Sequence, residues 1–288
     1  MQQRVTLNDV TLNVWVGGDG PPLLLLHGFP QTHAAWGFVA PEFARHHTCI
    51  VPDLRGYGDS TIPDSDASHR AYSKRVMAQD CVQLMAQLGF ERFAVLGHDR
   101  GARVAYRLAF DTEAVTRLGI IEVIPTADMW DHFDAAMALK AYHWAFLAQP
   151  SPLPETLIQS NHTVFLHHTL KSWSQSGSLK PFSAVALESY EKQMRDPHRI
   201  KAMCEDYRAG ATIDRALDNA DRQNGRMISA AVHFVWSENG FVSQAADPLA
   251  LWRQWATTVT GQSIESGHFA MEENPTAIVA AFLPFFNH

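Results

Sequence analysis

The chain has 288 residues, of which 46% are hydrophobic, 18% charged and 10% aromatic; this excludes a disordered chain and suits one large α/β unit or a core domain carrying an insertion. Lys and Arg number 23 against 30 Asp and Glu, a formal charge of −7, so no basic excess marks nucleic acid or anionic lipid as a partner. The longest aliphatic run, Leu23 to Leu26, is far too short to span a bilayer, and the opening MQQRVTLNDV lacks the apolar stretch of a secretory signal, so a cytoplasmic location is expected.

In chain order, Val5 to Val16 alternates around Asn8-Asp9 and predicts a β-hairpin. Leu23 to Leu26, bounded by Pro21-Pro22 and Gly28, predicts a buried strand, and Thr48 to Pro52 a second one before the turn-rich Asp53 to Ser60. Val76, Cys81, Leu84, Met85 and Leu88 recur at helical spacing between Tyr72 and Leu88, and Gly89 ends that helix. A strand over Arg92 to Leu96, a helix from about Arg100 to Phe110 and a strand over Thr116 to Val123 follow. Strands alternating with helices imply a mostly parallel sheet with helices on both faces. After Pro125 the rhythm changes to helix formers and aromatics punctuated by prolines, and sheet-like patterning returns at Ser229 to Trp236. Helices are expected from about Ala246 to Ala256 and from Pro275 to Phe286, around a short strand near Gly261 to Ile264. The expected organisation is an α/β core over residues 1–124 and 226–288, with a helical cap over 125–225.

Gly97-His98-Asp99-Arg100-Gly101 sits between a predicted strand and a predicted helix, with the spacing of a nucleophile elbow. The two glycines let strand and helix approach closely while the middle side chain is thrust outward. Here that residue is Asp, where most esterases and lipases have Ser. A carboxylate of reference pKa ~3.9 is already ionised at neutral pH. It suits displacement at an sp³ carbon, giving an ester that water must later break. His27-Gly28-Phe29-Pro30 follows the earlier strand, where an oxyanion loop belongs, and the expected donors are the backbone N–H groups of Phe29 and Arg100.

The base for the second step is expected late in the chain, which selects His268 in Glu265-Ser266-Gly267-His268-Phe269 from the 15 histidines. His46-His47 and His167-His168 read as polar surface, and the separated Cys49, Cys81 and Cys204 form neither a disulfide framework nor a metal knuckle. No HExxH sequence is present, so no metal or other cofactor is expected. The acid that orients His268 has three candidates: Glu122 is preferred, with Asp128 and Glu238 as alternatives.

The segments HGFPQTHAAW, PDLRGYGDS, GHDRGARVAYRLA, LKAYHWAFLAQPSPLPE, MCEDYRAGA and ESGHF together resemble the fluoroacetate (haloacetate) dehalogenases of the α/β-hydrolase superfamily, over essentially the whole chain. The first two are widespread in the superfamily; GHDRGARV, YHW and CEDYRAG are more specific. The resemblance implies that Asp99 attacks the halogen-bearing carbon, that Arg100 and Arg103 hold the substrate carboxylate, and that His143, Trp144 and Tyr207 bind the departing halide. It further implies a small anionic haloacid as substrate and a homodimer. The two arginines lie three apart on a helix beside Asp99, which suits an anionic substrate. His143, Trp144 and Tyr207 supply ring N–H, indole N–H and phenol O–H donors for a strongly hydrated anion. Trp173 is expected to line the pocket, and Arg107 to form a structural ion pair. Glu122 departs from the Asp that the fluoroacetate enzymes carry there.

Two competitors follow from the same residues. An epoxide hydrolase uses the same Asp and His but needs acidic O–H donors, for which Tyr142, Tyr190 and Tyr207 are candidates. A non-catalytic ligand receptor on this fold is the other.

Overall fold

The computed structural model describes residues 1–244 and 247–287, in which eight strands form one sheet. They are β1 (Gln2–Thr6), β2 (Thr11–Gly17), β3 (Pro22–Leu26), β4 (Thr48–Pro52), β5 (Phe93–His98), β6 (Val115–Ile121), β7 (Ala231–Ser237) and β8 (Val259–Ile264). Their order is β1-β2-β4-β3-β5-β6-β7-β8. The β1–β2 hairpin turns at Asn8-Asp9 and adds β2 antiparallel to β4; every other neighbouring pair is parallel. Leu23 to Leu26 and all of β5 are buried, as a parallel sheet covered on both faces requires.

The helices start and stop for local reasons. Ser73 caps the helix Lys74–Gln87 by accepting the Val76 N–H at 3.3 Å, and Gly89, at φ 86°, takes the chain out of it. Asn274 caps the helix Pro275–Phe286, whose first residue, proline, has no N–H to leave unsatisfied. Of the helix expected from Ala246, that first residue lies outside the described residues; the segment observed is Pro248–Arg253. The strand expected to reach Val123 stops at Ile121, because Glu122 adopts φ 58° and breaks the extended chain.

Between β6 and β7 the described chain is helical. The helices Tyr142–Leu147, His162–Trp173, Ala184–Met194, Pro197–Ala209 and Arg215–Gln223 belong to this insertion, and a π-turn at Gly210–Asp214 joins the last two. Buried charge ties it to the core. Arg107, on the helix Arg100–Asp111, pairs with Asp218 at 2.7 Å and Asp221 at 2.5 Å, the structural role expected of it. Asp206, wholly buried, accepts from Tyr57 Oη at 2.7 Å and from Lys74 Nζ. His47 departs from expectation. It is buried with its ring 6.3 Å from that of Phe286, since the close of the chain packs back over it. His46 and His168 are exposed, and His167 pairs with Glu191 at 2.8 Å. All three cysteines are buried free thiols, and no helix among the described residues is long and apolar enough to cross a membrane.

Candidate active site

The register of β3 against β5 pairs Leu26 with Gly97, so the loop after β3 and the turn after β5 leave the sheet side by side at its carboxyl end. Asp99 occupies that turn at φ 48°, ψ −118°, a strained conformation for a residue with a Cβ. The glycines make it possible. A Cβ at Gly101 would overlap the backbone carbonyls of Leu26 and His27, and one at Gly28 would overlap Asp99 itself. Side chain and oxyanion loop thus meet: the Phe29 N–H donates to Asp99 Oδ1 at 2.8 Å. Arg100 is the first residue of the following helix, where backbone N–H groups have no intrahelical acceptor.

His268 faces the same carboxylate from the loop after β8, with Nε2 3.7 Å from Asp99 Oδ2. That Nε2 is buried with no hydrogen-bond partner among the described residues. Its backbone is fixed on both sides, the N–H donating to Trp173 O at 2.9 Å and the carbonyl accepting from His98 Nε2 at 2.7 Å. Burial drives the His268 pKa below the ordinary histidine value, which leaves a neutral ring able to take a proton. For Asp99, burial opposes ionisation, but the His268, His98 and Arg100 rings and guanidinium, with the Phe29 N–H, outweigh it and hold the carboxyl below its usual range.

The two arginines do not share one environment. Arg100 is gripped by Asp206, whose Oδ1 lies 2.5 Å from Nη2 and whose carbonyl accepts from the same nitrogen at 2.8 Å. Of its nitrogens, only Nη1 is buried without a partner among the described residues. Arg103 lines the cleft and donates to Ile124 O at 3.0 Å and Thr126 Oγ1 at 3.1 Å, with no carboxylate salt bridge among the described residues. The two arginines expected to hold the substrate carboxylate thus differ in charge: Arg103 has no carboxylate salt bridge among the described residues, while much of Arg100's charge is matched by Asp206. Asp206 stood beside Tyr207 in a motif singled out from the sequence, yet nothing in the spacing shows which cation it meets.

Aromatic side chains from the insertion close the site. The Arg100 guanidinium lies 4.2 Å from the Tyr207 ring centroid and that of Arg103 4.5 Å from Trp144. His143 stands 5.6 Å from Tyr207 and 4.2 Å from Trp173, and Phe29 is 5.3 Å from Tyr207, centroid to centroid. Tyr207 Oη and His143 Nδ1 are buried without partners among the described residues. Burial pulls His143 down to about 3, so its ring is neutral. The cleft measures about 570 Å³ and extends past Trp173 to an open side near Leu139 and Tyr142.

The three acid candidates separate clearly. Asp128 is occupied by Arg222 at 2.8 Å and Trp255 Nε1 at 2.7 Å, and Glu238 is exposed. Glu122 is the one that borders the cleft with His268. Its Oε2 accepts from the Ser237 N–H at 2.5 Å, and no hydrogen bond joins it to His268 among the described residues. Burial drives its pKa up to about 8. Sequence reasoning missed a second buried acid, Glu272, which contacts Gln31 and Tyr190; its EExP context reads as an ordinary helix start.

An eight-stranded, mostly parallel sheet with a strained Asp elbow, a late histidine and a helical insertion defines an α/β hydrolase, and the alpha/beta hydrolase fold family model matches residues 21–275. The chain belongs to that family. It is 40% identical to a fluoroacetate dehalogenase from Burkholderia sp over 275 residues, covering 95% of this chain and 90% of the relative. It is also 31% identical to a soluble epoxide hydrolase from Corynebacterium sp. (strain C12) over 286 residues, 98% of this chain and 96% of that one. Among solved structures, ALR0039 from Nostoc sp PCC 7120 matches with a TM-score of 0.97 and 45% identity, covering 100% of this chain and 98% of the other. The resemblance to fluoroacetate dehalogenases read from the motifs thus extends along nearly the full chain.

Proposed function

We propose that the protein hydrolyses short 2-haloacids, fluoroacetate first among them, to the 2-hydroxyacid and halide through an ester on Asp99. The observation that carries this reading is Asp99 set between the Phe29 N–H and His268, with a cationic Arg103 beside it. The 40% identity to a fluoroacetate dehalogenase supports it. Arg103, with the free Nη1 of Arg100, holds the substrate carboxylate and so presents the carbon–halogen bond to Asp99 for backside attack. The C–O bond forms as the C–halogen bond breaks, and His143, Trp144 and Tyr207 replace the water that the departing halide would otherwise need. His268 then takes a proton from water, whose oxygen attacks the Asp99 carboxyl carbon; the Phe29 and Arg100 N–H groups receive the developing oxyanion. Glu122 is the acid we assign to steady the His268 cation, since the other two candidates lie outside the cleft; burial keeps it protonated at rest, so it serves as a carboxylate only once the His268 charge draws its proton off to the solvent in the cleft. No metal or cofactor enters the scheme. We place the protein in the cytoplasm as a homodimer, the latter testable by sedimentation.

The test is halide release from a panel of haloacids, followed with halide-selective electrodes. A His268→Ala variant should accumulate the Asp99 ester, seen as a mass increase on the peptide carrying Asp99; full turnover by that variant would remove His268 as the base. In a single turnover in water labelled with heavy oxygen, label should enter the Asp99 carboxyl.

Epoxide hydrolysis is the second reading, favoured by the Corynebacterium relative and by the unpartnered Tyr207 Oη. It is weakened by the other candidate tyrosines: Tyr190 is engaged with Glu272 and Tyr142 is at the exposed margin. Turnover of styrene oxide without halide release from haloacids would select it. A receptor without catalysis would bind haloacetate and release no halide.

A further inference from the structure

Behind His268 a line of buried polar groups runs to the insertion. Tyr190 Oη is 3.1 Å from Glu272 Oε1, and Glu272 Oε2 is 2.7 Å from the Gln31 amide. That amide is 3.1 Å from His98 Nδ1, and His98 Nε2 is 2.7 Å from the His268 carbonyl. Tyr190, Gln31 and His98 are wholly buried, and Glu272 is 5% exposed.

The donor count fixes the proton positions. A carbonyl only accepts, so His98 Nε2 carries a proton. With one proton shared between Glu272 and His98 Nδ1, two arrangements then satisfy every contact. In one, which has the Gln31 amide as the structure places it, Nε2 donates to an ionised Glu272 and Oε1 accepts from Nδ1 of a cationic His98; the oxygen and nitrogen of an amide exchange places at no change of shape, so either orientation fits the same contacts. In the other, His98 is neutral, Nδ1 accepts from the Gln31 amide nitrogen, and the amide oxygen accepts the proton of a neutral Glu272 carboxyl. The two differ by one proton moved between Glu272 and His98 and a half-turn of the amide. The surroundings choose between them. His98 is packed against the His268 ring at 4.7 Å, and neighbouring His27 also disfavours a cation there, while Asp99 favours one. Glu272 faces Glu273, which disfavours an anion. Burial adds to both, lowering His98 to about 3 and raising Glu272 to about 8.

We propose that Tyr190, Glu272, Gln31 and His98 form a neutral, one-directional hydrogen-bond chain, with Glu272 a protonated acid, that positions the backbone of His268. The donors run Tyr190 Oη to Glu272, Glu272 to Gln31, Gln31 to His98, and His98 to the His268 carbonyl. This rests on His268 being the base, and it makes Glu272 a positioning residue that links the insertion to the catalytic loop.

Glu272→Gln is the discriminating variant. A glutamine there can accept from Tyr190 and donate to Gln31, which reproduces the neutral chain but not the ionised one. The infrared difference between wild type and E272Q at about pH 6 should contain the carbonyl stretch of a protonated carboxylic acid; carboxylate bands in its place would overturn the proposal. This readout needs no turnover, so it stands or falls separately from the dehalogenase reading. In single-turnover kinetics, E272Q should hydrolyse the ester at close to the wild-type rate. Glu272→Ala should slow that step about 10- to 100-fold with ester formation little changed. Glu122 titrates in the same range in both proteins, so the readout is the ratio: ester hydrolysis by wild type relative to E272Q should fall above about pH 8, where Glu272 ionises. Equal slowing in E272Q and E272A would overturn the assignment.

Discussion

At the scale of single residues, the site is a division of charge. Arg103 is the guanidinium whose charge no carboxylate among the described residues matches. Arg103→Gln should therefore raise KM for an anionic haloacid by about 10- to 100-fold, the worth of a charged hydrogen bond, with a smaller change in kcat. Steady-state kinetics on a charged acid and its neutral amide would separate binding from chemistry. His268 sets the acid limb of the pH profile. Because burial lowers its pKa, the ring stays neutral to below 6.5, so ester hydrolysis should remain on its plateau at neutrality and fall only as pH drops through that lowered value. Pre-steady-state rates from about pH 5 to 7 would locate the limb. Glu122→Gln should slow ester hydrolysis more than ester formation, since only the second step makes a His268 cation; equal effects on both would assign Glu122 to the fold instead. Motif order and residue type singled out Asp99 and His268, and the family resemblance singled out His143, Trp144 and Tyr207; the structure brings the first two within 3.7 Å and packs the other three against one another. The partner of Arg100 was not legible in the sequence, because a contact spanning 106 residues leaves no local pattern.

At the scale of elements, the elbow depends on a strand and a helix that nearly touch. Gly101→Ala would push a methyl group against the backbone carbonyls of Leu26 and His27, which cannot turn aside. We expect a loss of about 1–3 kcal/mol by chemical denaturation, together with lower activity as Asp99 moves from the Phe29 N–H. The strands were readable because apolar runs between prolines and glycines have few alternatives. Boundaries shifted where a side chain's task outweighed the pattern, as at Glu122, whose φ of 58° ends β6 two residues before the apolar run does. The insertion was visible as a change of rhythm, but its order of packing was not, because helix faces alone do not specify which neighbours they meet.

At the scale of the whole molecule, buried acids give stability a pH dependence of predictable sign. Glu122 and Glu272 are raised from 4.5 to about 8, so the folded state keeps protons that the unfolded chain releases. Their contribution is therefore lost as pH rises from about 4.5 to about 8. Asp53, lowered from 3.8 to about 2 by its bonds to His33 against the cost of burial, acts oppositely; its contribution is lost as pH falls below 3.8. His98 and His143, lowered from 6.5 to about 3, offset the two acids up to pH 6.5, so denaturation free energies should decline mainly between about pH 6.5 and 8, and E272Q should flatten that decline. Asp206→Asn should cost about 3–5 kcal/mol, because Arg100 would lose its buried counter-charge and Lys74 would keep only Asp214, 3.7 Å away.

That shared aspartate also governs how small molecules come and go. Swinging the insertion away from the sheet would break the buried pairs of Asp206 with Arg100 and Lys74 and expose the apolar faces around them, so wholesale opening is a costly route. The shorter way in and out is the open end of the cleft beside Leu139, Tyr142 and Gln175. Bulk placed on that rim should throttle uptake and escape while the bond-breaking steps keep their speed.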